Sequence, residues 1–136
     1  MKEFHLQIVT PDGMFYDGNA QELLVRTTTG DVGILAGHSE YVAAVGIGAA
    51  KVVIDENKSR LAFCSGGLLT VGKEVTRLIP ASFEWQENID PARAQSAKES
   101  AEAILAREGE DPALLKAAAD SKKRAEMRLK LAAKKS

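Results

Sequence analysis

The fold of the first part of this chain is decided by the segment from residue 4 to residue 13, which reads FHLQIVTPDG. Phe4, Leu6 and Ile8 alternate with polar residues, a period of two that is typical of a strand with one buried face. Pro11 and Gly13 then indicate a tight turn, because proline fixes one backbone angle and glycine eases the exit. The segment therefore predicts a first strand that ends in a turn.

Further short apolar runs follow this first strand, and no helical period lies between them. Turn signals separate the runs, for example Gly18-Asn19, residues 29–31 and residues 55–58. Many short strands in succession predict an antiparallel β-sandwich or flattened barrel over residues 1–86. The predicted strands cover residues 20–27, 41–54, 59–64, 68–71 and 74–80.

The chain changes character after Trp85, where helix signals replace the strand period. Asp90-Pro91 predicts a helix start, because aspartate caps free backbone N–H groups and proline suits the first turn. Alanine-rich sequence follows up to a break at residues 108–110, and Asp111-Pro112 then repeats the start signal. Two helices joined by a short break predict an antiparallel hairpin over residues 87–136, so we expect an α+β fold.

The predicted hairpin has few large apolar side chains. Alanine favours helices but buries little surface, and burial contributes roughly 25 cal/mol per Å2. We therefore expect strong helices that dock weakly and change position at modest cost. The apolar face predicted for the first helix consists of Ala94, Ala97, Ala101, Ile104 and Leu105.

Composition excludes several classes of function. No run of 18 apolar residues occurs, so we expect no membrane insertion, and the first residues lack the apolar block of a signal peptide. The single cysteine, Cys64, excludes an internal disulfide and a cysteine-cluster zinc site, and its apolar neighbours predict burial. We interpret residues 30–38 as a loop with turn-forming glycines, because the Gly-Lys-Ser/Thr of a P-loop is absent. No metal site and no catalytic set can be argued around His5 or His38.

Four motifs resemble the epsilon-subunit family of bacterial F-type ATP synthases. They are TPDG at residues 10–13, GDVGILAGH at 30–38, SGGLLTV at 65–71 and IDPARA at 89–94. The motifs keep the family's order along nearly the whole chain. Pro91 is unusual inside the fourth motif, although it is chemically sensible at a helix start.

This resemblance implies a non-catalytic rotor subunit of the central stalk, in a complex that couples proton transport to ATP synthesis. It also implies a peripheral position at the cytoplasmic face of the bacterial plasma membrane. The sandwich is then expected to bind the gamma subunit and the c-ring. The hairpin is expected either to fold back or to extend along gamma into the alpha/beta catalytic hexamer, where it inhibits ATP hydrolysis. The expected contact residues for gamma and the c-ring are Asp31, Gly33, Ile34, Leu35 and His38. The resemblance implies that Asp31 and His38 lie together at the end of the sandwich that meets the c-ring.

The resemblance also implies that ATP binds the folded hairpin as a regulatory ligand, with no cofactor required and any need for Mg2+ left open. Arg93 shares a helix face with Asp90, and Arg124 shares one with Arg128; arginine forks suit phosphate oxygens. Ser100 stands where some ATP-binding members carry another arginine. From spacing alone, an alternative to ATP binding stays open: Asp90 is a helix cap, and the arginines are solvated side chains of the helix surface. The residues matched to ATP-binding members are Glu84, Ile89, Asp90, Arg93, Arg124 and Arg128.

Other interpretations of these residues stay open. Residues 30–38 fit a purely structural loop, and the whole chain fits a free-standing ATP sensor or a small hydrolase that uses His38 and Asp31. Residues 122–136 carry seven basic side chains and one acid, Glu126, which indicates a solvated helix face or a surface that attracts the acidic catalytic subunits. We expect no nucleic-acid binding, because the net charge is −1 and no aromatic residues interleave with the basic ones.

Overall fold

A computed structural model describes residues 2–134 and divides the chain into two compact units, Met1–Gln86 and Glu87–Ser136. The first unit is built of strands and the second of helices, which confirms the predicted α+β class. The strands are β1 (Phe4–Thr10), β2 (Gly13–Ala20), β3 (Glu22–Thr27), β4 (Gly30–Leu35), β5 (Tyr41–Asp55), β6 (Lys58–Ser65), β7 (Leu68–Val71), β8 (Thr76–Ile79) and β9 (Ser82–Trp85).

The strands form two sheets that share β5. Sheet A has the order β2-β1-β8-β7-β5, and sheet B contains β4, β3, β5, β6 and β9. The predicted antiparallel sandwich is confirmed, with one exception: β1 and β8 run parallel, with Leu6 opposite Thr76. The alternation of apolar residues does not reveal this pairing, because it specifies a buried face and not a neighbour.

β5 turns the corner between the two sheets at two glycines. Tyr41–Ala44 pair with β7 in sheet A, and the later part of the strand pairs with β3 and β6 in sheet B. A Cβ atom on Gly48 would stand 2.6 Å from the Cβ of Arg26, and one on Gly46 would stand 3.2 Å from the carbonyl oxygen of Thr27. Only glycine allows the bent strand to pass so close to β3.

The core of the first unit lies between the inner faces of the two sheets. Leu6 and Ile8 are fully buried, as their alternation predicts, and the Cys64 thiol is buried with them, which raises its pKa to about 12. Phe83 and Trp85 pack edge to face, with ring centroids 4.9 Å apart, at the β9 side of this core. The other large core residues are Leu23, Val25, Ile34, Val52, Leu69 and Leu78.

Two turns predicted in the first unit require correction. Gly18-Asn19 lies inside β2, where it pairs with Leu6 and His5 of β1. The Tyr16 hydroxyl donates to the Asn19 carbonyl oxygen at 2.6 Å. The pairing of β2 with β1 therefore outweighs the turn propensity of the Gly18-Asn19 dipeptide.

The glycines predicted a loop over residues 30–38, but only part of this segment is a loop. Residues 30–35 form β4, which pairs with β3 from Thr27 opposite Gly30 to Glu22 opposite Leu35. The connecting turn is Thr28-Thr29, and the Thr27 hydroxyl donates to the Gly30 carbonyl oxygen at 2.6 Å. The pattern of glycines was misleading because cross-strand hydrogen bonds to β3 outweigh the low strand propensity of glycine.

The second unit consists of two helices, α1 (Pro91–Leu105) and α2 (Pro112–Ala133). Asp90 caps α1 by accepting from the backbone N–H groups of Ala92 and Arg93 at 3.0 and 3.2 Å, and Asp111 caps α2 in the same way. Both predicted helix starts are confirmed. None of the helices within residues 2–134 combines the length and the apolar character needed to cross a bilayer.

Two ion pairs establish that α1 and α2 run antiparallel. Lys98 lies 3.9 Å from Glu126 and Glu102 lies 3.5 Å from Lys122, so a step of four residues forward in α1 is a step of four backward in α2. Buried alanines seven residues apart occur on each helix, at 94 and 101 and at 118 and 125. Ala97 is exposed, contrary to the prediction, because a two-helix contact covers only a narrow stripe.

Candidate functional site

The outer face of sheet A carries a continuous row of apolar side chains. Val9 pairs with Met14, Leu68 pairs with Ile79 and Ala44 pairs with Leu68. Val9 follows Ile8, which is opposite Leu78, so Val9 lies beside Ile79 and closes the row. Met14, Leu68 and Ile79 are 53%, 41% and 39% exposed, and Val42, two residues before Ala44, is 67% exposed. We call Met14, Val9, Ile79, Leu68, Ala44 and Val42 the apolar row.

A row of polar side chains runs beside the apolar row on the same face. Arg77 Nε donates to Gln7 Oε1 at 2.9 Å, and Gln7 Nε2 donates to Asp17 Oδ1 at 3.4 Å. His5 Nε2 pairs with the same carboxylate oxygen at 2.5 Å. The hydrogen bond from His5 lowers the pKa of Asp17, and the bond from Gln7 acts in the same direction. The polar row is thus held together by its own contacts across β2, β1 and β8.

An open cavity of about 450 Å3 lies at one end of the sandwich. Leu35 and His38 line it from the β4–β5 connection, and residues 71–76 line it from the β7–β8 turn. His38 Nδ1 lies 2.7 Å from the Ser39 carbonyl oxygen, and its ring meets Tyr41 edge to face. Within residues 2–134 no cluster of three or more potential ligand side chains is arranged to hold a metal ion.

The residues predicted to contact a partner do not lie together. Asp31 is near the β3–β4 turn, where it pairs with Arg26 at 2.8 Å, whereas Leu35 ends the strand about 13 Å away. His38 lies beyond Leu35, so the prediction of one shared end for Asp31 and His38 is wrong. The two residues form no catalytic pair. Ile34 is fully buried in the core, and only Leu35, 43% exposed, presents an apolar side chain there.

The candidate ATP residues divide between the two units. Glu84 lies on β9 opposite Phe63 and is half-buried, while the other five belong to the helical unit. Ile89 is 7% exposed, Asp90 is the α1 cap and Arg93 is exposed. The cap part of the open alternative is therefore correct for Asp90. Both cap hydrogen bonds, from the N–H groups of Ala92 and Arg93, are accepted by Asp90 Oδ1, so Oδ2 takes no part in them.

The hairpin brings the three candidate arginines to one flank. At about 100° per residue, Lys98 and Glu102 lie on one side of the buried alanine stripe of α1, and Arg93 and Ser100 lie on the other. The same geometry puts Arg124 and Arg128 on the side of α2 opposite to the ion pairs. Because the helices are antiparallel, these two flanks face the same way, and the register puts Ser100 opposite Arg124.

Local contacts further define this arginine flank, composed of Arg93, Arg124 and Arg128. Arg124 donates from Nη2 to Ser121 Oγ at 3.0 Å and is half-buried, as is Arg128. In the C-terminal basic run, Lys122 and Glu126 are engaged in the ion pairs of the other flank. Lys135, also part of the predicted basic run, lies outside the described residues.

Sequence reasoning missed the apolar row. A signal for it is present in Leu68-Leu69 and in Leu78-Ile79, where two successive residues of a short strand are both apolar. Successive side chains of a strand point to opposite faces, so one residue of each pair must face outward. Leu69 and Leu78 are fully buried, and their neighbours Leu68 and Ile79 form the row.

Comparisons with known proteins match this chain to one family. The family described as "ATP synthase, Delta/Epsilon chain, beta-sandwich domain" matches residues 3–86. An ATP synthase epsilon chain of Caldanaerobacter subterraneus is 38% identical over 133 residues, covering 98% of this chain and 96% of the relative. The ATP synthase epsilon chain of Alkaliphilus oremlandii is 44% identical over 102 residues, which is 75% of each chain.

Solved structures share the fold at low sequence identity. A chain of the Euglena gracilis mitochondrial ATP synthase, in a structure of OSCP, F1 and the c-ring, gives a TM-score of 0.79 at 23% identity. The match covers 91% of this chain and 78% of the other. A chain of the Tetrahymena thermophila mitochondrial ATP synthase central stalk and c-ring gives a TM-score of 0.63 at 15% identity, covering 96% and 97%.

Proposed function

The chain belongs to the epsilon-chain family of ATP synthase, whose members are non-catalytic subunits, and we propose that it is a rotor subunit joining gamma to the c-ring in the central stalk. The catalytic sites of such a complex require a P-loop subunit, and the sequence of this chain has no P-loop. Its work is mechanical: it holds two other subunits in a fixed relation during rotation. The stalk location named for the Tetrahymena structure supports this assignment.

The apolar row is the observation that carries the proposal. Exposed apolar side chains scattered singly are ordinary, but a row across five strands marks a surface that another protein covers. The rigid sheet behind it makes docking inexpensive, since no segment needs to be ordered on binding. We assign gamma to this face.

The end of the sandwich that bears Leu35 and His38 is the proposed c-ring contact. It offers an apolar side chain, an exposed imidazole and an open cavity to an incoming loop. Asp31 and Gly33 stay in the proposal as part of the same outer face of β4, while Ile34 supports that strand from inside the core. Synthase complexes of this class act at a membrane; we propose a peripheral position at the cytoplasmic face of the bacterial plasma membrane.

We also propose that the hairpin inhibits ATP hydrolysis when it extends along gamma into the alpha/beta hexamer. The buried side chains of its described helices are five alanines and Leu131, and two partly exposed ion pairs join the helices, so the hairpin buries few large apolar side chains. A change of helix position is therefore inexpensive. Basic side chains in the second half of α2 suit the acidic surface of a catalytic subunit.

ATP is the proposed regulatory ligand of the folded hairpin. The arginine flank supplies guanidinium groups for phosphate oxygens, and the Asp90 carboxylate at the head of α1 suits the amino group of adenine. Only the folded register keeps residues of α1 and α2 on one flank, so a ligand that binds both helices stabilises that state. A free-standing ATP sensor with the same fold is disfavoured by the apolar row, which such a protein does not need.

Binding of the full chain to the gamma subunit tests the docking proposal. Leu68→Ser replaces an exposed side chain at the centre of the row, so it should leave the melting temperature within about 2 °C but weaken binding at least about tenfold. Lys58→Ser, at the exposed first residue of β6, is the matched control. Unchanged affinity of the Leu68 variant would reject this face, and self-association of the isolated chain through it would make the occupant a second copy.

A further inference from the structure

The guanidinium group of Arg77 borders the proposed gamma-docking face. Arg77 lies on β8 two residues before Ile79, so both side chains point outward on the same face about 7 Å apart. Among residues 2–134 no carboxylate lies within salt-bridge distance of Arg77. Its one hydrogen bond to a side chain is the donation from Nε to Gln7.

The contacts of Arg77 orient its free end. Gln7 is fixed in turn by donating to Asp17, which pairs with His5, so a chain of bonds across three strands holds Nε of Arg77. A guanidinium held by Nε alone presents the paired N–H groups that match the two oxygens of a carboxylate.

The surroundings of Arg77 form a receptacle. Arg77, Thr70, Lys73, Glu74 and Glu40 line an open depression of about 440 Å3 next to the apolar row. The two basic and two acidic side chains cancel in net charge, so the depression as a whole does not repel an acidic group. Arg77, which is oriented by its hydrogen bond to Gln7, is the cation suited to receive such a group.

Burial of the apolar row creates a requirement on the partner. Any subunit that covers Leu68 and Ile79 also removes water from Arg77, and an unpaired buried charge costs several kcal/mol in general. We propose that the gamma subunit places an acidic side chain in this depression, where it pairs with the terminal amino groups of Arg77. Arg77 is then the specificity-determining residue of the docking face, and this inference rests on the docking of gamma proposed above.

The experiment compares variants of the full chain in binding to the alpha/beta/gamma subcomplex of its own synthase by biolayer interferometry. Arg77→Gln removes the attraction and should weaken binding at least about tenfold; Arg77→Glu adds repulsion and should weaken it further. Lys58→Glu, the same change of charge at the exposed first residue of β6, should leave the affinity within about twofold of the wild type. Melting temperatures establish that each variant is folded.

Two further measurements separate this inference from the docking proposal. Wild-type binding should weaken more steeply with salt than binding of Arg77→Gln, because one ion pair is lost in the variant. Changing one acidic residue of gamma to lysine should restore binding of Arg77→Glu. If Leu68→Ser weakens binding while both Arg77 variants bind like the wild type, gamma docks here and the acidic partner is refuted. If Leu68→Ser also binds normally, the docking face itself is refuted.

Discussion

Lys122 Nζ lies 3.5 Å from Glu102 Oε2, and this contact joins the second helix to the first across the hairpin. Together with the pair between Lys98 and Glu126, it specifies the register in which α1 and α2 meet. All four side chains are substantially exposed, so each pair contributes about 1 kcal/mol or less. The hairpin therefore has a well-defined folded register to which the ion pairs contribute little stability, in agreement with the proposed regulatory role.

Removal of residues 87–136 should leave a folded sandwich. The apolar core of the first unit is formed by residues up to Trp85, so the deletion removes none of it. Cooperative melting of the shortened chain checks this expectation. In the assembled synthase the same deletion should raise ATP hydrolysis, and unchanged hydrolysis would show that the hairpin is not inhibitory. The full-length Lys116→Ala variant, altered at an exposed α2 position remote from the arginine flank, is the control.

Replacement of Arg124 and Arg128 by alanine should weaken ATP binding to the isolated chain at least about tenfold, because each lost guanidinium removes a charge-assisted contact to phosphate. Titration calorimetry measures the affinity. Lys116→Ala with Lys130→Ala removes the same net charge from exposed positions of the same helix without touching the arginine flank or the ion pairs between the helices. Equal heats from the wild type and the arginine variant would show that the two arginines do not bind ATP and are solvated side chains of the helix surface.

Gly67→Ala should destabilise the chain by more than about 3 kcal/mol. Gly67 has φ +92°, and an added Cβ would stand 2.0 Å from the carbonyl oxygen of Ile79 and 2.7 Å from Pro80 Cα. Gly13 also has positive φ, +129°, but nothing lies within 4 Å of its added Cβ, so Gly13→Ala should cost only about 1 kcal/mol. Urea unfolding compares the two variants, and similar losses would refute the close approach at Gly67.

The Cys64 thiol should react very slowly with iodoacetamide at pH 8 in the native chain. Burial raises its pKa to about 12, and the thiolate is the reactive form, so both access and ionisation are suppressed. In 6 M guanidinium the rate should rise by several orders of magnitude, and native reactivity should increase only as the pH approaches the raised pKa. Equal rates in the native and denatured states would contradict the buried position.

Much of the local structure followed from the sequence. The period of two in residues 4–8 predicted β1 and its buried face, and Asp90-Pro91 and Asp111-Pro112 predicted both helix starts, because strand alternation and N-caps depend on near neighbours in the chain. The glycines misled at Gly18 and between Gly30 and Gly37. There the pairing of β2 with β1 and of β4 with β3 makes the segments strands, and the glycine pattern does not encode that pairing.

The candidate sites show the same division. Spacing along each helix predicted that Asp90 shares a face with Arg93, and Arg124 with Arg128, but the common flank of these pairs depends on the register set by Lys98, Glu102, Lys122 and Glu126. Whether Asp31 and His38 lie together depended on β4 being a strand that separates them.

The sequence by itself determined which segments become strands and which become helices, and which side chains cap the helices, since those choices are made by periodicity and by contacts within about four residues. Only the tertiary structure decided that Val9, Ile79 and Leu68 line up across sheet A and that Arg77 borders them. That alignment depends on the parallel pairing of β1 with β8 and on the corner in β5. Both are made by hydrogen bonds between residues far apart in the chain, which no local pattern encodes.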